Sequence, residues 1–160
     1  MAVRLDIGSG GKPFYGEGWL GVDPYHPEAD VQCSGDKLPY GDNTVDEIYS
    51  SHMLEHITKL DVPKFLKEWF RVLKSGGKLI LRVPDLEWCC RYWLDHPGIG
   101  WEMDIIYGGQ SRNGEFHKTG FNYEIALNYL KEAGFIVKKF EEMETHSQKT
   151  LSFECQKPKK

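Results

Sequence analysis

The stretch VRLDIGSGGKPFYGEGWLGVD, Val3 to Asp23, constrains the fold of this chain most. A β-rich run (residues 2–7) breaks on Gly8, Gly10 and Gly11, and a second run (19–23) follows almost at once and ends on an aspartate. A strand feeding a glycine turn is the opening unit of an α/β sheet, where ligands sit beyond the carboxyl ends of the strands. The connection to the second strand is too short for an ordinary crossover helix.

The rest of the chain keeps alternating. DVQC (30–33) reads as a weaker third strand and TVDEIYSS (44–51) as a fourth, running into the helix-like HMLEHI. DVPKFLKEWFRVLK (61–74) is the clearest helix, with Val62, Phe65, Leu66, Trp69, Phe70 and Leu73 on one face. Asp61 is placed to cap it, Pro63 suits its first turn, and Gly76 and Gly77 are expected to end it. KLILRVP (78–84) reads as a buried strand, LEWCCRYWL (86–94) as a short helix, and NYEIALNYLKEAG (122–134) as a helix closing on Gly134. FIVKKFEEM (135–143) and TLSFECQ (150–156) form an antiparallel hairpin. Between Asp95 and Phe121 periodicity disappears and glycines accumulate. So long a stretch without regular structure is usually functional, and 95–121 is read as a substrate lid. The expectation is a single domain, 1–160, built on a doubly wound, mostly parallel α/β sheet with one late antiparallel strand.

Composition narrows the partners. With 160 residues, 40% hydrophobic and 13% aromatic, the chain can bury one sizeable core. A net charge of -4 provides no electrostatic footprint for duplex DNA or an anionic membrane, so neither is an expected partner. Cys33, Cys89, Cys90 and Cys155 show no paired metal-ligand spacing and read as reduced thiols. No metal is expected. The N-terminal residues do not form an apolar leader and no run approaches a membrane span, so the expected location is the cytoplasm.

The glycine loop does not suit a phosphate. A dinucleotide fingerprint needs glycine or alanine where Pro13 stands, and no lysine–hydroxyl pair follows in P-loop fashion. Carboxylates surround the loop instead. Asp6 precedes the glycines, where it can organise the loop or receive an ammonium group. Asp23 ends the second strand, where an acid accepts hydrogen bonds from ribose hydroxyls. Asp36 follows the third strand, where it can take the exocyclic amine of adenine while the Leu38 backbone lines the ring. Ribose, adenine and an amino acid without phosphate describe S-adenosylmethionine.

In order along the chain, LDIGSGGKP, GWLGVD, LPYGDNTVDEIYSSHMLEHI, EWFRVLKSGGKLILRVPDLE, YGG, HKTGF and YLKEAGF resemble the small class I S-adenosylmethionine-dependent methyltransferases of bacteria and their viruses. That family is often linked to surface-polysaccharide synthesis. The resemblance implies a Rossmann-like sheet of seven strands in the order 3-2-1-4-5-7-6, strand seven antiparallel, with the cofactor over strands one, two and four. It places Asp6, Gly8, Ser9, Gly10, Asp23, Asp36, Leu38, Ser51 and His52 at the cofactor. Two departures stand out: Lys12 replaces a frequent third glycine, and the N-terminal helical part is truncated. They imply a pocket more open than usual, or one closed by a partner.

Methyl transfer to a hydroxyl needs a base. His52, His56, Asp85 and His117 are available, with His96 less well placed. His117, in the lid, is the expected general base, with Asp85 second or orienting it, and His52 third. HMLEH superficially resembles a zinc-binding helix motif but lacks a glutamate directly after its first histidine, so His56 is expected to pack against the sheet. Trp101 and Tyr107 escape any helical pattern and could stack on a sugar ring; Trp88, Tyr92 and Trp93 read as core. The segment YSSHM is not the Asn/Asp-Pro-Pro-aromatic motif of a nucleobase amine methyltransferase. The expected activity is therefore O-methylation of a sugar or glycan precursor, with a small-molecule or glycan partner and homo-oligomerisation left open. A protein or small-metabolite methyltransferase, or a non-catalytic cofactor-binding module needing a partner, would share these residues. Pro13 and the compressed crossover disfavour a nicotinamide oxidoreductase.

Overall fold

In the computed structural model, residues 2–97, 100, 102–111, 114–145 and 148–159 are described. β1 (Arg4–Ile7), β2 (Leu20–Val22), β3 (Val45–Ser51), β4 (Leu73–Pro84), β5 (Ile136–Thr145) and β6 (Gln148–Gln156) form one sheet in the order β2-β1-β3-β4-β6-β5. The first four strands are parallel, and β6 runs antiparallel between β4 and β5. This differs from the seven strands expected. The run 30–33 makes one parallel bridge, Val31 to Val22, and forms no strand. The reason is local: Pro24 and Pro27 break the approach, and the Asp30 carboxylate accepts the Gly21 N–H at 2.8 Å, taking an edge donor that a strand would have used. Counting that bridge in the third strand's place, the neighbour order is the one expected.

Strand register puts Leu5, Ile7, Ile48, Leu79, Leu81 and Phe153 on one face, all buried. That face carries α1 (Val62–Val72) and α4 (Tyr123–Glu132). Val62, Phe65, Leu66, Trp69 and Val72 of α1 are buried there, and the Trp69 indole N–H donates to the Gly35 carbonyl at 2.9 Å. Asn122 caps α4 through the Ile125 N–H, and Gly134 follows it with φ near +99°.

The opposite face holds the cross-strand row Asp6, Tyr49, Ile80 and Glu154. No helix occurs between β1 and β2, so the doubly wound expectation fails on this part of the sheet. The rings of Phe14 and Tyr15 cover Tyr49 instead, with centroids 5.8 and 4.9 Å away. The connection is too short to do otherwise.

A second difference lies at the end of α1. The helix stops at Val72, before the glycine pair, and β4 begins at Leu73. Gly76 and Gly77 sit inside that strand: Leu73 pairs with Val45 and Lys78 with Glu47, so the strand bulges between them. Lys157 does the capping from the other end of the chain. Its buried ammonium donates to the Phe70 and Leu73 carbonyls at 2.6 and 2.8 Å and to Asn43 Oδ1 at 2.9 Å. α2 (Leu86–Asp95) forms as expected, while the aperiodic 95–121 stretch contains a short helix, α3 (Glu102–Tyr107). The four cysteines are free thiols, and burial pushes that of Cys155 up to about 12. Among the described residues, no helix is long and apolar enough to cross a membrane.

Replacing Lys157 with Leu leaves three carbonyls at the end of α1 and the Asn43 oxygen without that donor. Urea denaturation is expected to show a loss of about 2 kcal/mol; an unchanged midpoint would mean that the C-terminal segment does not hold α1.

Candidate functional site

A cleft of about 740 Å³ opens at the carboxyl ends of β1, β2 and β3, within the range of small-molecule sites. Gly8, Gly10, Asp23 and His52, all singled out from sequence, lie on its wall. Gly8 has φ near +79°, and a Cβ there would stand 2.3 Å from Met53 Cγ, so only glycine fits.

Three backbone donors of the loop are already committed. The N–H groups of Gly8 and Ser9 point to the Val22 carbonyl at 2.8 and 3.4 Å, and that of Gly10 donates to Asp23 Oδ2 at 3.1 Å. No helix starts behind them among the described residues. A helix N-terminus, which would help cradle a pyrophosphate, does not follow the loop, and the amides of Gly8, Ser9 and Gly10 are not free to do so. Asp23 also accepts from the Tyr25 and His26 N–H groups through Oδ1, at 2.8 and 3.0 Å, so one carboxylate ties the loops after β1 and β2 together.

The remaining expected cofactor residues stand behind this wall. Asp6 is buried and accepts the Phe14 N–H at 2.7 Å; burial raises its pKa and that hydrogen bond opposes the rise. It organises the loop. Ser9 donates to the Gly11 carbonyl at 2.9 Å. The Ser34 hydroxyl donates to Asp36, and Ser34 and Gly35 line the cleft where Asp36 does not. Leu38 is buried, its N–H committed to Glu68 Oε1 at 2.9 Å, and Ser51 ends β3 half-buried.

The histidines converge. His52 has φ near +52°, an uncommon conformation for a non-glycine residue, and its Nε2 lies 3.1 Å from the Thr150 hydroxyl. Its Nδ1 is 3.4 Å from Oε1 of Glu55, in the 3-10 turn Leu54–His56. The Glu55 carbonyl accepts from Lys118 and Thr119 N–H at 2.7 and 3.1 Å, which pins the 116–119 segment onto that turn. His117 is thereby brought against His56, ring centroids 4.8 Å apart. His56 meets a ring from the lid segment and borders the cleft, where packing against the sheet was expected. The carboxylate facing His117 is Glu55, not Asp85. Asp85 caps α2 by accepting the Trp88 N–H at 3.1 Å, and burial raises its pKa. Burial lowers the pKa of His117, with Glu55 opposing the change.

Tyr107 ends α3 half-exposed, its carbonyl accepting the His117 N–H at 3.0 Å; Trp101 lies outside the described residues. Trp88, Tyr92 and His96 stack along α2, away from the cleft wall. Sequence reasoning passed over Tyr25, His26 and Met53. Tyr25 and His26 could have been found, because a loop following an expected ligand-facing aspartate must run beside the same ligand. Glu55 stands in the sequence only as part of HMLEH, whose likeness to a zinc-binding motif lacks the glutamate directly after His52.

Residues 22–81, from the end of β2 into β4, match a family model described as a methyltransferase domain. The ubiquinone/menaquinone biosynthesis C-methyltransferase UbiE of Haemophilus ducreyi is 43% identical over 51 residues, 32% of this chain and 19% of that protein. The match thus spans about a fifth of the curated relative. A Methanosarcina mazei S-adenosylmethionine-dependent methyltransferase superposes with a TM-score of 0.70 at 19% identity, over 98% of this chain and 92% of its own. The fold is that of the S-adenosylmethionine-dependent methyltransferases. A further methyltransferase of this fold, the 1,6-didemethyltoxoflavin-N1-methyltransferase of Burkholderia thailandensis, was solved with 1,6-didemethyltoxoflavin and S-adenosylhomocysteine bound. It has a TM-score of 0.68 at 14% identity, over 98% of this chain and 71% of its own.

His117 makes stability depend on pH. Its folded pKa lies below its ordinary 6.5, so between the two values the unfolded chain binds more protons. Stability therefore falls as pH drops from about 6.5 towards the lowered folded value. Denaturation of the metal-free protein is expected to show a larger loss between about pH 7.5 and pH 5.5 for the wild type than for His117→Asn; equal losses would mean that His117 is not buried as described.

Proposed function

We propose that this chain transfers the methyl group of S-adenosylmethionine to an oxygen of a sugar or glycan precursor. The observation that carries the reading is the committed glycine loop. With three amides bonded inside the protein and Asp23 on the wall, the cleft favours a polyhydroxyl, phosphate-free nucleoside over a dinucleotide. The methyltransferase fold and the matched 22–81 segment support the same cofactor.

In this reading Asp23 accepts a hydrogen bond from a ribose hydroxyl, using the lone pair left over from its three backbone contacts. Gly8 and Gly10 let the chain come close to the amino-acid end, with Asp6 and Ser9 holding the loop in shape. Ser34 and Gly35 receive the adenine, steadied by Asp36 and Leu38 behind them. His52 and Ser51 close the side next to β3. S-adenosylmethionine supplies a methyl group on a sulfonium, which a nucleophile takes by in-line displacement.

The chain's own contribution is alignment and a place for the proton. The 95–121 segment acts as the lid, with Trp101 and Tyr107 as its sugar-stacking rings. His117 is the proton acceptor: burial keeps its imidazole neutral near pH 7, and the Ile105 carbonyl at 2.6 Å from Nδ1 fixes the tautomer with Nε2 free. His52 acts on its surroundings through Glu55, which lies 3.4 Å from His52 Nδ1, while Asp85 caps α2. A small-metabolite acceptor is the second reading, favoured by the Burkholderia thailandensis enzyme's 1,6-didemethyltoxoflavin.

Calorimetry is expected to show S-adenosylhomocysteine binding without any response to NAD, and Asp23→Ala is expected to weaken it about tenfold or more. NAD binding, or unchanged affinity in the variant, would overturn the cofactor assignment. With labelled S-adenosylmethionine and a panel of nucleotide sugars, label is expected in the sugar. Loss of His117 (His117→Ala) is expected to lower turnover by about 100-fold or more. The wild-type rate should fall as pH drops through the lowered pKa of His117. Labelling of a small heteroaromatic acceptor alone would favour the second reading.

A further inference from the structure

Glu55 is the anomaly of this molecule. Its side chain is 2% exposed, and neither carboxylate oxygen takes a hydrogen bond among the described residues. His52 Nδ1 approaches to 3.4 Å without completing one. A carboxylate buried without donors is costly and calls for a cation.

Two imidazoles stand beside it, each already oriented. His56 Nδ1 is 3.3 Å from the Phe116 carbonyl and His117 Nδ1 is 2.6 Å from the Ile105 carbonyl. A carbonyl oxygen only accepts, so the proton of each neutral ring is on Nδ1 and the lone pair is on Nε2. Metal-ligating histidines are held in this way, their second nitrogen donating to a backbone carbonyl. One ligand atom from each of Glu55, His56 and His117 lies within 4.8 Å of the other two. Bonds near 2.1 Å around a tetrahedral ion put ligand atoms about 3.4 Å apart. Closing the set requires a shift of roughly an ångström, within reach of the half-buried His56 and His117 side chains.

We propose that Glu55, His56 and His117 form a binding site for one divalent transition-metal ion of the zinc type. Two imidazoles and one carboxylate suit a borderline ion and disfavour magnesium or calcium, which prefer all-oxygen sets. Three protein ligands leave a fourth position open. The site stands in the wall between the main cleft, which His56 borders, and a small pocket lined by Glu55 and His117. An ion there occupies Nε2 of His117, the atom given above as proton acceptor, so the metal-loaded protein is the form in which that base is blocked. Binding itself does not depend on that role and is measured without methyl donor or acceptor.

The test uses the full chain stripped with EDTA and titrated with Zn²⁺ against a chromophoric chelator. One equivalent is expected to bind. Glu55→Gln, His56→Asn and His117→Asn are each expected to weaken it on the order of 100-fold. His56, half-buried at the cleft edge, is the position least able to disturb the fold, and circular dichroism checks all three variants. Zn²⁺ is expected to raise the melting temperature of the wild type but not of His56→Asn. Co²⁺ loading is expected to give d–d bands without a thiolate charge-transfer band, which separates this site from the free cysteines. No binding above the chelator background, full stoichiometry retained in folded His56→Asn, or a strong thiolate band would each overturn the proposal.

Discussion

The site depends on a single carboxylate. Asp23 accepts three backbone N–H groups, one from the loop after β1 and two from the loop after β2. Charge-assisted bonds of this kind are stronger than neutral ones, and here they join two loops that have no helix to brace them. In an ordinary crossover a helix would fix the glycine loop from behind and lend its N-terminus to the ligand. This chain has only the 8–19 connection, so side chains take over: Asp23 from the front and Asp6, through Phe14, from below. The chemistry of the cleft follows from that substitution. Amides that hold the loop closed are not available to a phosphate.

The same compression shapes the far side of the sheet. Without a helix after β1, the row Asp6, Tyr49, Ile80 and Glu154 is covered only in part, by aromatic rings. Phe14 remains 72% exposed while its ring stacks on Tyr49. The helix-bearing face is by contrast densely packed, with Trp69, Phe121 and Phe153 fully buried. Rigidity on one face lets the carboxyl-end loops be short and irregular and still hold position.

The histidine cluster is held by backbone, which is why it can be so compact. Glu55 presents its carbonyl to Lys118 and Thr119, and its carboxylate faces the two imidazoles. Thr119 adds its hydroxyl to the Ile57 carbonyl at 2.6 Å. A turn after β3 and a lid segment some sixty residues later thus behave as one unit.

Much of this was legible in the sequence alone. Apolar periodicity marked α1 and α4, β-rich runs bounded by glycine marked β1 to β4, and the two last runs announced their hairpin, because these signals are local and the core enforces them. Asp23 could be placed in the cleft because a residue ending a strand beside a glycine turn has nowhere else to point. Tertiary structure decided the rest. Whether 30–33 became a strand depended on Asp30 reaching the Gly21 N–H; the end of α1 depended on Lys157, which arrives from the opposite end of the chain. HMLEH places Glu55 beside His56, but that His117 joins them is invisible to any spacing rule. The three lie on a turn and on the 116–119 segment, and only the hydrogen bonds closing one on the other bring a buried carboxylate to face two prepared imidazoles.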